Sequence, residues 1–261
     1  MMRVLFFGDI VGRPGRRALS QKLSQIKDEC NADFVIANGE NAAGGIGITP
    51  NIADEIFDMG IDVLTSGNHI WNKKEIYQYL DREQRLIRPA NYPSGNPGNG
   101  AIVLNKDGFT LAVMNLCGRV FMDQLDCPFR TADQLLNEIL GQTQCVIVDI
   151  HAEATSEKLA LAWYLDGRVS AVLGTHTHIQ TSDERILNNG TAYITDVGMV
   201  GPRDSVIGVE IENILERFLT MRPVSFNVAR KNIWMDYVVV EIDEESGRST
   251  LICRYNVPLE D

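Results

Sequence analysis

"VSAVLGTHTHIQ", residues 169–180, decides how the chain is read: a short apolar run reaches a glycine and is followed at once by two histidines two positions apart. The chain has only four histidines among its 261 residues, so half of them stand at the end of this one run. Four further apolar runs lead, within four residues, to residue types that ligate metals or move protons. Gly8-Asp9 follows "VLFF" (4–7), Gly39-Glu40-Asn41 follows "FVIAN" (34–38), Gly67-Asn68-His69 follows "VLTS" (63–66), and His151 follows "CVIVDI" (145–150). Short apolar runs bounded by turn signals read as strands buried on both faces. If these strands are parallel neighbours, their carboxyl ends share one rim, and ligands bind along such rims.

Between the runs lie helical patterns: "PGRRALSQKLSQIKDEC" (14–30), "TPNIADEIFDMG" (49–60), "TADQLLNEILG" (131–141) and "SEKLALAWYL" (156–165). Pro14 and Pro50 suit a first helical turn, Thr49 a cap and Gly60 a helix stop. "NYPSGNPGNG" (91–100) is loop by composition, and "AIVLNKDGFTLAVMNL" (101–116) reads as two strands around a Lys-Asp-Gly turn. After the histidine pair come hairpin material over 184–195, a helix near 209–219, and strands near 224–229, 233–242 and 249–256. Nothing in the pattern divides the chain. The expected fold is α/β, a mixed-sheet β-sandwich flanked by helices, forming one domain over 1–261 with a hairpin elaboration around 91–116.

Hydrophobic residues make up 44% of the chain, and 35 acidic against 24 basic side chains leave a formal charge of −11. That sign disfavours nonspecific attraction to nucleic acid or anionic lipid. A small anionic substrate then needs something locally positive. The apolar start "MMRVLFFGDIVG" is interrupted by Gly8 and Asp9, well short of a secretory or spanning segment, which reads as a cytoplasmic protein with no membrane partner. Five cysteines with no CxxC pair suit a reducing compartment and argue against structural zinc. A homo-oligomer is compatible with all of this.

In an extended segment residues i and i+2 point to the same side, so His176 and His178 are expected to face one ion or two adjacent ones, with Thr175 and Thr177 turned away. Together with Asp9, Glu40, Asn68 and His151 they make a donor set rich in lone pairs. It suits divalent transition metals of borderline hardness such as Mn, Fe or Zn. Clustering Asp9 and Glu40 away from water without cations would cost several kcal/mol through repulsion and desolvation. Each residue taken singly has a plainer reading: His151 as a structural histidine, Asp9 as a helix cap, Asn68 as a turn residue, Arg13 and Arg16 as a solvated helix start. "GGIG" (44–47) lacks the spacing of a dinucleotide fingerprint, and "GDIVGRPG" lacks the ending of a P-loop.

The stretches "FFGDIVGRPGR", "NGENAAGGIGIT", "TSGNHIW", "DIHAEATSEK" and "GTHTHIQTSDE" resemble the calcineurin-like metallophosphoesterases, and more closely their YmdB-type branch, over nearly the whole chain. The resemblance implies two divalent metal ions, iron or manganese before zinc. Asp9 and His178 would hold one ion, Asn68, His151 and His176 the other, and Glu40 would bridge them. His69 would be the catalytic general acid or orient the phosphate, and Asn41 would contact the substrate. The broader superfamily has Asp-x-His at the first strand where this chain has Asp9-Ile10-Val11, so the first ion lacks one imidazole. The implied function is a dinuclear-metal phosphodiesterase acting on small cyclic nucleotides, 2′,3′-cyclic ones above all, by in-line attack of a hydroxide bridging the ions. The alternatives are a phosphomonoesterase or nuclease on the same site, or a nucleotide-sensing regulatory protein with incidental hydrolysis.

Overall fold

A computed structural model describes residues 1–259. The first sheet begins with β1 (Met2–Ile10), β2 (Phe34–Asn38) and β3 (Val63–Thr65), all parallel. On the other side of β1 lies β11 (Ile233–Ile242), antiparallel to its first part, with β10 (Met199–Pro202) set between the two and parallel to the end of β1; β12 (Ser249–Pro258) pairs antiparallel with β11. The second sheet runs β4 (Ala101–Lys106), β5 (Phe109–Cys117), β6 (Val146–His151), β7 (Ala171–Thr175), β9 (Ala192–Ile194) and β8 (Arg185–Ile186). Strands β5, β6, β7 and β9 are parallel, and antiparallel hairpins close both edges.

Alternation along the strands builds the layers. In β1, Val4 and Phe6 join Phe34, Ile36, Ile147 and Leu173 between the two sheets. Leu5 and Phe7 point the other way, against Leu19 and Leu23 of α1 (Gly12–Cys30) and Ile56 of α2 (Pro50–Asp58). On the far side, Val148 and Ile150 of β6 pack with Ala132 of α4 (Pro128–Ile139) and with Leu161 and Ala162 of α5 (Thr155–Leu165). Both faces of the central strands are therefore dry, which is why they read as unbroken apolar runs. Helix α2 starts as its sequence implies: Thr49 Oγ1 accepts from Ile52 N at 3.4 Å and Pro50 occupies the first turn.

Three details differ from the sequence reading. Residues 224–229 form no strand, making only isolated pairing through Val228 and Val209; Phe226 stands 55% exposed, so the apolar alternation there has no layer to fill. Strand β10, "MVGP", went unrecognised because its glycine and proline hide a strand that pairs deep beside β1. A 3₁₀ turn (Asn68–Asn72) and α3 (Ile76–Leu80), neither of them expected, follow β3, whereas α6 (Ile211–Thr220) stands where a helix near 209–219 is expected. No helix among the described residues is long and apolar enough to cross a membrane.

Candidate metal centre

The carboxyl ends of β1, β2, β3, β6 and β7 meet at one end of the seam between the sheets. Asp9, in β1, is fully buried; its Oδ2 accepts from the His176 backbone N at 3.1 Å. Its Oδ1 has no hydrogen-bond partner and lies 3.7 Å from His178 Nε2. Glu40, just past β2 and equally buried, accepts from His69 N at 3.1 Å. Its Oε1 lies 3.2 Å from His151 Nε2, 3.2 Å from His69 Nδ1 and 3.0 Å from Asn41 Nδ2. Asn68 Oδ1 is 3.2 Å from the same His151 nitrogen, and His176 Nδ1 is 2.9 Å from it. Asn41 Nδ2 also lies 3.1 Å from His178 Nε2, and Asn41 Oδ1 2.8 Å from His69 Nδ1. All eight residues singled out in the sequence thus meet in one contact network.

The two histidines after β7 reach it by a different route from the one expected. They are not an extended pair: the strand ends at Thr175, and His176 and His178 have φ of 101° and 63°. This backbone, rare outside glycine, sends the rings apart. His176 goes to His151, while His178 goes to Asp9 and Asn41 and donates through Nδ1 to Ile207 O at 2.8 Å. The threonines face away from the donor atoms and brace them from outside. Thr177 bonds Asp196 Oδ2 through both N and Oγ1, at 3.0 and 2.8 Å, and the same oxygen holds the buried Lys158 Nζ at 2.7 Å. Thr175 Oγ1 donates to Asp149 Oδ1 at 2.7 Å and accepts from His151 Nδ1 at 2.9 Å.

That last contact settles a tautomer. With its proton on Nδ1, His151 presents the Nε2 lone pair to the cluster. Asp149 is itself held by Thr65 Oγ1 at 2.5 Å and Asn38 Nδ2 at 3.0 Å, so residues from both sheets support one ring. Asp149, Thr175, Lys158, Asp196 and Glu153, whose Oε2 lies 3.2 Å from His176 Nε2, were not picked out in the sequence. Asp149 carried a signal, since it sits two residues before His151 in an apolar strand and so shares its face. Lys158 and Asp196 carried none. Of the plainer readings, Asp9 caps nothing: the cap of α1 is Val11, with no side-chain bond. Arg16 is structural, bonding Glu55 Oε2 at 3.1 Å and Ala42 O at 2.6 Å.

The electrostatics describe a place that lacks positive charge. Burial pushes the Asp9 carboxyl up, against the pull of His178 and His151. Burial also works to raise Glu40, but His151 and His69 hold it well below the usual carboxylate range. Burial would lower His151, yet Glu40, Asp9 and Asp149 raise it to about 9, while burial and that neighbouring imidazolium push His176 down to about 3. Burial lifts Asp149 to about 6.

The residues present fit divalent cations. Donor atoms of Glu40, His151 and His176 lie within 4.8 Å of one another, and Asp9 Oδ1 is an orphaned buried acceptor beside them. Gly67 is the floor: a Cβ there would overlap the His151 ring and Glu40 Oε2, so only glycine leaves the space open. Two imidazoles, a carboxylate and an amide oxygen in one place form a mixed nitrogen and oxygen donor set of borderline softness.

The family described as YmdB-like protein matches residues 5–255. A 2′,3′-cyclic-nucleotide 2′-phosphodiesterase of Bacillus subtilis (strain 168) is 49% identical over 253 residues, covering 97% of this chain and 96% of the relative. Among solved structures, a phosphatase of Mycoplasma pneumoniae superposes with a TM-score of 0.93 at 31% identity, over 98% of this chain and 93% of that one. The NAD nucleotidase of Haemophilus influenzae, at 12% identity and a TM-score of 0.64 over 98% of this chain and 56% of its own, shares the fold alone. The sandwich is therefore the calcineurin-like metallophosphoesterase architecture, and the chain belongs to the YmdB-like family.

Proposed function

We propose that this chain is a metal-dependent phosphodiesterase that opens 2′,3′-cyclic nucleotides. The observation that carries the reading is the orphaned Asp9 Oδ1 inside a cluster of nitrogen and oxygen donors. The Bacillus relative's name supplies the substrate class. Asp9 and His178 would hold one ion, with the Asn41 amide at the same half of the cluster; Asn68, His151 and His176 would hold the other, and Glu40 would serve both. This mixed nitrogen and oxygen donor set accepts iron, manganese or zinc, and the family resemblance favours the first two. Two such cations, when bound, neutralise phosphoryl oxygens and lower the pKa of water toward neutrality. They also explain how a chain of charge −11 attracts an anion.

His69 is built to handle the leaving group. Its side chain is 31% exposed, the contact with Asn41 Oδ1 holds the ring, and Nε2 has no protein partner among the described residues. A proton delivered from Nε2 to the departing ribose oxygen is worth about 10²–10⁴-fold in rate. His69→Ala is therefore expected to lower kcat by that factor with metal content unchanged.

The test is metal analysis of the purified protein combined with hydrolysis of a cyclic nucleotide, a nucleoside monophosphate and a short RNA under Mn, Fe, Zn and Mg. Preferred turnover of the cyclic nucleotide, lost in Glu40→Gln, is the expected result. Substantial activity in Glu40→Gln would sink the bridging role, and preference for the monophosphate would make the protein a phosphomonoesterase.

A further inference from the structure

We infer that a cavity beside His178 is the subsite for the nucleobase, an inference that rests on the cyclic-nucleotide reading above. The cavity measures about 270 Å³ and shares the His178 ring with the metal centre. Nε2 of that ring faces Asp9 and Asn41, Nδ1 is tied to Ile207 O, and Ile207 lines the cavity. A substrate with its phosphate on the centre thus has a hollow one imidazole's width away, where the sugar would carry its base.

The lining has the chemistry of a heterocycle's binding place. Ile179, Ile207 and Met199 supply apolar walls, and the first two are 60% and 48% exposed, large apolar side chains standing open to solvent beside the site. Flat ring faces would cover them. Arg203 also lines the cavity, its guanidinium 4.2 Å from the centre of the Trp234 ring, a planar cation of the kind that stacks on bases. Its charge is already met by Asp236 Oδ1 at 2.9 Å, so the cavity calls for a neutral occupant and not a second phosphate. Asn256 Nδ2 gives one proton to Gln180 Oε1 at 3.4 Å, which leaves the amide oxygen and the second N–H for the edge of a base. Pockets for drug-sized ligands run to about 300–1,000 Å³, so this smaller volume suits a single ring system.

The experiment compares KM for adenosine 2′,3′-cyclic phosphate with KM for ribose 2′,3′-cyclic phosphate, which keeps the reacting ester and lacks the base. The wild-type protein is expected to favour the nucleotide by tenfold or more in KM. Asn256→Trp, which fills the cavity from an exposed position on β12, is expected to erase that preference. Ile179→Ala, at a site where folding is not at stake, is expected to reduce it about threefold. Equal KM for both substrates in the wild type, or an undiminished preference in Asn256→Trp, would overturn the subsite while leaving the phosphodiesterase reading intact. Failure of the wild type to open either cyclic ester under any metal would overturn that reading, and the subsite with it.

Discussion

Thr175 shows how much one hydroxyl decides. It donates to Asp149 and accepts from His151, so the carboxylate acts through it to fix which imidazole nitrogen keeps a lone pair. Thr175→Val retains the shape and removes the relay. Metal affinity, measured by competition with a chelator, should fall about 10–100-fold, and Thr175→Ser should restore it. Gly67→Ala tests the opposite property, empty space. A methyl group there collides with the His151 ring and Glu40, so the variant is expected to fold, as judged by its circular dichroism, and to purify without metal. At this scale the sequence was informative about identities and poor about directions. Asp9, Glu40 and every histidine announced themselves by chemistry and position. The route of His176 and His178 did not, because their positive φ is imposed by surrounding contacts and not by any local preference of histidine.

Among the elements, α5 does more than cover the second sheet. It carries Lys158, fully buried, whose ammonium meets Asp196, and Asp196 in turn holds Thr177 between the two histidines and accepts from Gly198 N at 2.8 Å. Gly198 O then accepts from Asp9 N at 3.0 Å, so one ion pair underlies both β1 and the loop after β7. Breaking such a pair from one side strands a buried charge and costs about 3–5 kcal/mol. Lys158→Met should lose that much in urea unfolding, and Asp196→Asn in the same background should recover part of it. Strands such as 34–38 were legible to the residue because both faces are buried and the apolar run has no gaps. Strand β10 was not, since "MVGP" acquires its strand character from β1 and β11 on either side. The segment 224–229 shows the converse: strand-like residues with no sheet to join remain irregular.

For the molecule as a whole, the layer between the sheets is the decisive feature. Phe6 from one sheet and Ile147 and Leu173 from the other are fully buried in one cluster. We expect the described residues to unfold in one calorimetric transition, with Phe6→Ala lowering stability by about 3–5 kcal/mol for both sheets together. Two resolved transitions would mean that the halves are separate folding units. The donors divide along the same line: Asp9 lies at the end of one strand of the first sheet while Glu40 and Asn68 follow others, and His151, His176 and His178 end or follow strands of the second. Cations gripped from both sides would act as a rivet through the sandwich. A ligand present at a hundred times its Kd stabilises the native state by about 2.7 kcal/mol, so the melting temperature should climb with free manganese and drop on dialysis against EDTA. Metal supply would then set the lifetime of the protein as well as its turnover.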